Sequence, residues 1–457
     1  MGNRESSPAD QAVAGPAPVE AASPHTGHYR ALYADLTSPG SQGDTENKTT
    51  FKDRFASYFG GPCPAFGNVL YEYLFSSEEV VPEAIFLVAM TKLRGASGST
   101  DHHTVERMYF SMFSHAQDNI SREDLTSLLA SAALYALVVG SELHEKASLP
   151  RDHPLLLALV QAAWVHAHSE GVLSGSEFSV WVSTNCPRLL DGVREWINSV
   201  LTQDGGTLIY QLPSPHTGKD PPLQRQIDLC TLVWVLSTTL PMLYMGHRGE
   251  SSKDKGKIGL LPVGGEWTCL YSSDSHGLSM NRFQHHCSDY KQPSLLHLSC
   301  YHKGEKAVYQ FAIALDTEWR DGTYYYGGED SVMVQLTPTY RPLKHGPKLV
   351  SLNEKQRGFP TGLRVLGTDG SVLLNVQPSL SDACFLGKEM VVECVEVWGC
   401  GGVEAIESQR RMKEWEKRQI NLRRKVKREH LVETWESSPD RYLLEMGGVT
   451  TRRPTEQ

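Results

Sequence analysis

The chain has 457 residues, room for roughly three domains at about 150 residues each, and is 40% hydrophobic and 21% charged. That balance excludes a disordered or fibrous chain, and a net charge of −9 excludes a general nucleic-acid binder, which needs a basic surface. The nine cysteines, at 63, 186, 230, 269, 287, 300, 384, 394 and 400, are odd in number and lack Cys-x-x-Cys spacing, which predicts free thiols in a reducing compartment and no zinc site.

Met1-Gly2-Asn3-Arg4-Glu5-Ser6 fits the pattern for myristoylation of Gly2, with a hydroxyl at the sixth position. Residues 1–48 are rich in Pro, Ala, Ser and Gly, too poor in large apolar side chains to offset ordering, so a disordered tether is predicted. From Phe51 the character changes. Phe51, Phe55, Tyr58 and Phe59 recur at helical spacing, as do the apolar residues of 69–75 and 84–93, which predicts a helical domain over 49–200. The apolar run 128–139 is too short to span a bilayer, and 229–245 is broken by Ser237-Thr238-Thr239 and Pro241, so both predict buried helices.

Within the helical domain, residues 166–177 line up with a calcium loop: Gly171 at the turn, Leu173 at the central apolar position, Glu177 at the bidentate position. His166 and His168 stand where carboxylates belong. Residues 113–124 keep Ile120 at the centre but place Phe113 at the first ligand position and Asp118 where glycine is needed. Neither loop offers a hard cation enough oxygen ligands, so an EF-hand-like pair without metal or other cofactor is expected, with His166, His168 and Glu170 the alternative set for a softer ion.

Residues 205–402 alternate short strands with turns. Ile209 to Pro213 leads to a helix over 223–240 ended by Pro241, and 246–257 is a charged surface loop. Strands are predicted over 267–273, 295–301, 307–315, 331–336 and 390–398, with a helix capped by Ser279 and stapled by Leu278 against Phe283. Residues 341–358 are read as a polar interruption, and Thr368-Asp369-Gly370 as a hairpin turn. The last strand is apolar on both faces and belongs inside two packed layers.

Three ordered signatures give this stretch a family likeness. They are Leu270-Tyr271-Ser272-Ser273 with His276-Gly277 and Phe283; residues 311–340 with Trp319 and Gly327-Gly328; and Glu396-Val397-Trp398-Gly399. The stretch resembles the TLDc domain. Residues 362–370 depart from the family's richer glycine run. The resemblance implies an α+β chain: an N-terminal EF-hand-like helical domain, a TLDc β-sandwich of two antiparallel sheets with flanking helices, and an extended C-terminal helix, with 403–457 divided into that basic amphipathic helix and a tail.

Residues 404–429 hold ten Lys or Arg against five Glu, a balance of +5 that leaves −14 elsewhere. No Gly or Pro interrupts them, and the 26 residues predict a helix of about 39 Å. Met412, Trp415, Leu422 and Val426 share one thin stripe, and Arg423, Arg424, Lys425, Lys427 and Arg428 form a basic end. Such a helix suits a groove on an acidic partner surface. Trp435, residues 439–444 and Met446-Gly447 form a second apolar anchor.

Ser272, Asp274 and His276 are the obvious catalytic set, but they are too close in sequence for a triad drawn from separate elements, and no Gly-x-Ser-x-Gly elbow presents a serine. Backbone bonds at a strand-to-helix turn account for them more simply. Glu396 has two readings, a perturbed acid or the closure of a structural hydrogen bond. A non-enzymatic protein is expected. The layout is similar to the myristoylated, mTOR-associated TLDc proteins of the lysosome surface, which implies V-ATPase subunits as partners, mTOR complex components as further ones, and a cytoplasmic protein peripheral on the lysosomal membrane. An oxidation-protective activity and a nuclear role suggested by the basic run remain as alternatives.

Overall fold

The computed structural model describes residues 25–38, 50–76, 78, 80–99, 101–141, 151–167, 172–202, 210–217, 221–246, 264–302, 304–305, 307–436, 443–444 and 446–447, with side chains of the last long helix through residue 425. Contacts divide the chain into two units: 1–151 with 163–210, and 152–162 with 211–457. Residues 152–162, assigned above to the helical domain, thus cluster with the second unit.

The first unit is helical. Its elements are α1 (Thr26–Thr37), α2 (Phe51–Gly60), α3 (Pro64–Phe75), α4 (Glu83–Ser97), α5 (His102–Phe113), β1 (Asn119–Ile120) and α6 (Arg122–Gly140). After α7 (Pro154–Val165) come β2 (Leu173–Ser174), α8 (Gly175–Asn185) and α9 (Asp191–Leu201). Thr50 and Asp53 cap α2 reciprocally, and Pro64 opens α3, where a missing N–H costs nothing. The two helices cross closely because Gly67 has no side chain; a Cβ there would lie 2.1 Å from the Ala56 carbonyl oxygen. Phe55, Phe59, Tyr71 and Phe75 pack edge-to-face and stacked along the crossing, while Tyr58 stays on the outer side. By length and composition α6 could cross a membrane, but Leu125, Leu128, Leu129, Ala133 and Leu137 are buried within the protein.

The predicted tether is corrected in part. Residues 26–37 form α1, whose Tyr29, Leu32 and Leu36 recur at three and four residues and are buried; Tyr33 donates to the Val81 carbonyl at 2.8 Å. A twelve-residue amphipathic piece is diluted when composition is averaged over 48 residues. The rest of the tether, Gly2 included, lies outside the described residues.

The second unit holds β3 (Ser214–His216), α10 (Leu223–Ser237), a 3-10 turn (Met242–Met245), β4 (Glu266–Ser272), α11 (Ser273–His276), α12 (Met280–Cys287), β5 (Ser294–His302), β6 (Val308–Leu315) and β7 (Val332–Thr337). Then come β8 (Arg341–His345), β9 (Val350–Asn353), β10 (Gly362–Leu366), β11 (Val372–Val376), β12 (Asp382–Phe385), β13 (Lys388–Gly399) and α13 (Gly402–Glu436). The α+β class holds. Ser279 is the N-cap of α12, although its hydroxyl makes no capping bond. Residues 341–358, read as a polar interruption, contain β8 and β9, because pairing with β7 and β10 satisfies their backbone whatever their composition.

The two expected sheets are one network of eleven strands in the order β8-β7-β6-β5-β13-β12-β11-β10-β9, with β4 on β13 and β3 parallel to β4. The joint is β13. From Met390 to Gly399 it pairs with β5 on one edge, while its other edge pairs first with β12 and then with β4. The network folds over on itself, so Phe311 on β6 meets Phe385 on β12 at 4.6 Å between ring centroids, although two strands separate them in sheet order. Leu298, Ile313, Val365, Leu374 and Val397 share that core, each contributing about 1.5–3 kcal/mol by leaving water. The outer face of β5–β7 is buried too. Tyr244 from the 3-10 turn donates to the Asp330 carbonyl, and Tyr340 donates its N–H to Ala158 at 3.2 Å.

Candidate functional site

Glu396 lies near the C-terminal end of β13, beside His297 on β5 and Ser272 on β4 in register. Arg225, in the first turn of α10, donates to its Oε1. His297 Nδ1 stands 3.9 Å from Oε2, too far for a hydrogen bond, and both ring nitrogens are buried without one. Burial works to raise the Glu396 pKa, but His297 and Arg225 outweigh it and hold the carboxyl below its usual range. The group is therefore a buried carboxylate, closing an ion pair rather than standing as a raised-pKa acid.

This pair lines a cavity of about 280 Å³. His153, Asp228 and Gln310 add polar groups, while Pro154, Leu155, Leu229 and Leu232 form an apolar wall. His153 lies 3.4 Å from Asp228 and accepts the Leu155 N–H; burial lowers its pKa, with Asp228 opposing. The nearby thiols of Cys269 and Cys394 are pushed up by burial to about 12 and about 11.

Ser272, Asp274 and His276 do not assemble as a triad. His276 Nδ1 accepts the backbone N–H of Ser272 at 3.2 Å, Asp274 faces solvent, and Ser273, not Ser272, takes the Val395 N–H through its hydroxyl. Gly277 turns the chain at φ +73°, where Tyr271 donates to its carbonyl. The neighbouring His286 ring is tilted against that of His276, with 3.9 Å between their centroids. Burial first, then His276, His285 and Lys413, lowers its pKa to about 4.

The other signature residues are placed as scaffold. Phe283 meets Trp319 edge-on at 5.2 Å, and the Trp319 indole donates to the Ser294 hydroxyl. A Cβ on Gly328 would lie 2.2 Å from Asp316, which accepts the Gly328 and Asp330 N–H groups. Gly399 leaves room for the Tyr290 ring, and Trp398 is buried.

The C-terminal helix runs longer than predicted, 35 residues from Gly402 to Glu436. Ala405 and Ile406 pack on the core, and two polar groups fix the next turns: the Gln409 amide donates to the carbonyls of His286 and Ser288, and the Lys413 ammonium to those of His285 and His286. These carbonyls end α12 and have no partner within it, so α13 caps a second helix. Burial lowers the Lys413 pKa. Ile420 continues the docked line but is half exposed, so the domain has run out beneath it. At about 100° per residue, Trp415 and Leu422 lie roughly 160–180° around the helix from Lys413. They are 54% and 55% exposed, with Met412 half-buried and Arg423, Arg424 and Lys425 exposed. The side chains of Val426, Lys427, Arg428 and Trp435 lie outside the described residues, as does most of the second apolar anchor.

In the first unit, Ile120 pairs with Leu173, the two central positions of the predicted loops. The carboxylates ending both loops are engaged at helix starts. Glu177 accepts the Ser174 N–H and hydroxyl at 2.9 and 2.7 Å, and Asp124 accepts the Ser121 hydroxyl at 2.6 Å. His168, Glu170 and Gly171 lie outside the described residues; His166 is exposed.

Sequence reasoning missed Arg225, His297, Gln409 and Lys413. The first two reach Glu396 from other elements, and no local spacing reports that. For Gln409 a signal existed: its line with Ile406 and Lys413 at three- and four-residue steps is a second face of the helix.

Residues 263–364 match the family model of the TLDc domain, so the chain carries a TLDc domain. The matched residues run from β4 into β10, while β11–β13, with Glu396 to Gly399, lie beyond them. "Restriction of telomere capping protein 5" of Leptosphaeria maculans is 22% identical over 253 residues, 39% of this chain and 40% of that protein. The protein so named in Pyrenophora tritici-repentis is 34% identical over 112 residues, 24% of this chain and 16% of that one. The Lachancea thermotolerans protein is 25% identical over 165 residues, 30% and 29% respectively. The chain thus spans well under half the length of these relatives.

Proposed function

We propose that this protein is a non-enzymatic binding protein on the cytosolic face of the lysosome, held there peripherally by myristate on Gly2. In this reading it engages the V-ATPase through its TLDc domain and, at a second place, through α13, with mTOR complex components as further partners. The observation that carries the reading is the two-faced helix. One face of α13 is fixed to the domain by Gln409 and Lys413, while Trp415 and Leu422 face away from it. A helix of 35 residues spans about 52 Å, so its free part reaches past the domain that roots it. Exposed Trp and Leu with a basic end suit a groove on an acidic partner.

The test is a pull-down of the pump from lysosomal membranes. Trp415→Ala with Leu422→Ala is expected to weaken capture at least about tenfold, the scale of a lost hot spot, while the melting temperature stays unchanged. Full capture by the double variant, or a lowered melting temperature, would sink the clamp.

The printed name of the relatives favours a second reading, a nuclear role tied to telomere capping, to which the basic run of α13 could contribute. Nuclear accumulation of the full chain, lost when Arg423, Arg424 and Lys425 are replaced, would favour it. An oxidation-protective role through a reactive thiol has less support, since burial raises the pKa of six of the nine cysteines: 186, 269, 287, 300, 394 and 400.

A further inference from the structure

The cavity beneath α10 has no part in the reading above, and its chemistry is specific. We propose that it binds a small zwitterion, an α-amino acid with an apolar side chain. Its volume of about 280 Å³ falls just under the ~300 Å³ at which drug-sized sites begin, which suits a metabolite of a few heavy atoms and leaves no space for a nucleotide.

Two opposite charges meet at one place in the wall. Arg225 is 45% exposed at the side chain, whereas Glu396 is 5% exposed in β13. Only Oε1 of the carboxylate is bonded, by Arg225; Oε2 has the His297 ring at 3.9 Å, and both nitrogens of that ring are buried without a hydrogen bond among the described residues. Buried polar atoms in native proteins are nearly always paired. An ammonium group brings the N–H donors that Oε2 can accept. A carboxylate matches the guanidinium fork of Arg225, with the Gln310 amide lining the same space.

Charge balance selects a ligand carrying both groups. The Arg225–Glu396 pair is neutral overall, and a zwitterion inserted into it leaves each buried charge with an opposite neighbour. A ligand with a carboxylate alone would draw Arg225 away and strand the buried Glu396, the costly way to disturb such a pair. Pro154, Leu155, Leu229 and Leu232 then face the remaining substituent, and an apolar side chain fits that wall without burying an unpaired polar group. Asp228 does not compete for the ammonium, being held by His153 and by the Gln224 amide at 3.0 Å.

The experiment is calorimetric titration of the protein with L-leucine, glycine, 4-methylpentanoate and isopentylamine. Leucine is expected to bind at least about tenfold more tightly than the other three, which lack the side chain, the ammonium or the carboxylate. Arg225→Gln should reduce leucine affinity by a similar factor, and Leu229→Phe, which fills the wall without touching the charges, should reduce it too. No binding of leucine up to about 10 mM overturns the proposal. So does equal binding of 4-methylpentanoate, which would mean a simple anion site, or unchanged leucine binding in Leu229→Phe. Should Arg225→Gln fail to fold, the wild-type series and Leu229→Phe decide the matter.

Discussion

Glu396 shows how a single residue is decided by neighbours far away in sequence. An alternating apolar strand predicts that its side chain is buried, but only Arg225 and His297 make that burial compatible with a charge. Its folded pKa is depressed below the unfolded value of about 4.3, so as pH falls the unfolded chain takes up the proton first. The stabilisation is complete above the unfolded value and is lost as pH drops through the folded one. Glu396→Gln should therefore cost about 1–3 kcal/mol near pH 7, less than the ~3–5 of a fully buried pair because Arg225 is half in water. Urea unfolding at about pH 7 and about pH 3 checks this: the gap between wild type and variant should narrow at the acid end, and a constant gap would contradict the ion-pair account.

At the scale of elements, α13 is two helices in one. Its first three turns belong to the domain, since Ile406 packs on the core while Gln409 and Lys413 occupy the carbonyl end of α12. Beyond them, among the described residues, Trp415, Ile420 and Leu422 are half or more exposed. Gln409→Ala with Lys413→Ala removes about 1 kcal/mol per hydrogen bond and orphans the carbonyls of α12. Amide exchange should accelerate over residues 405–415 and 285–289 in that variant, with the core strand β13 unchanged; unaltered exchange in α12 would show that the cap does not hold it. The stripe of Met412, Trp415 and Leu422 was legible in the sequence because it repeats at helical spacing. The docked face went unread although Ile406, Gln409 and Lys413 also repeat at helical spacing, since two of the three are a glutamine and a lysine, which a periodicity of apolar residues counts as solvent-facing.

Across the whole molecule, the first unit pairs the central positions of the two loops, Ile120 and Leu173, while engaging both terminal carboxylates at helix starts. A ligand that binds the folded state raises its melting point by mass action. Replacing a chelator with about 1 mM calcium is therefore expected to leave thermal unfolding of the full chain unchanged, and a calcium-dependent rise abolished by Glu177→Ala would overturn this expectation.

The sequence by itself determined the α+β class, the helical and strand-rich regions and the turn at His276-Gly277, because each rests on local spacing and composition. It placed five of the eleven strands of the second unit, β4–β7 and β13, within a residue or two, since alternation marks the face a strand buries. It failed where composition was averaged or polar, at α1, β8 and β9, whose backbone or buried stripe finds partners elsewhere in the chain. Tertiary structure alone decided that two layers are one folded-over sheet joined at β13, that residues 152–162 cluster with the second unit, and that Glu396, His297 and Arg225 meet around a cavity. Those features depend on contacts between residues as far apart in the chain as Arg225 and Glu396 or Ala158 and Tyr340, and register and crossing, not spacing along the chain, determine which residues such contacts join.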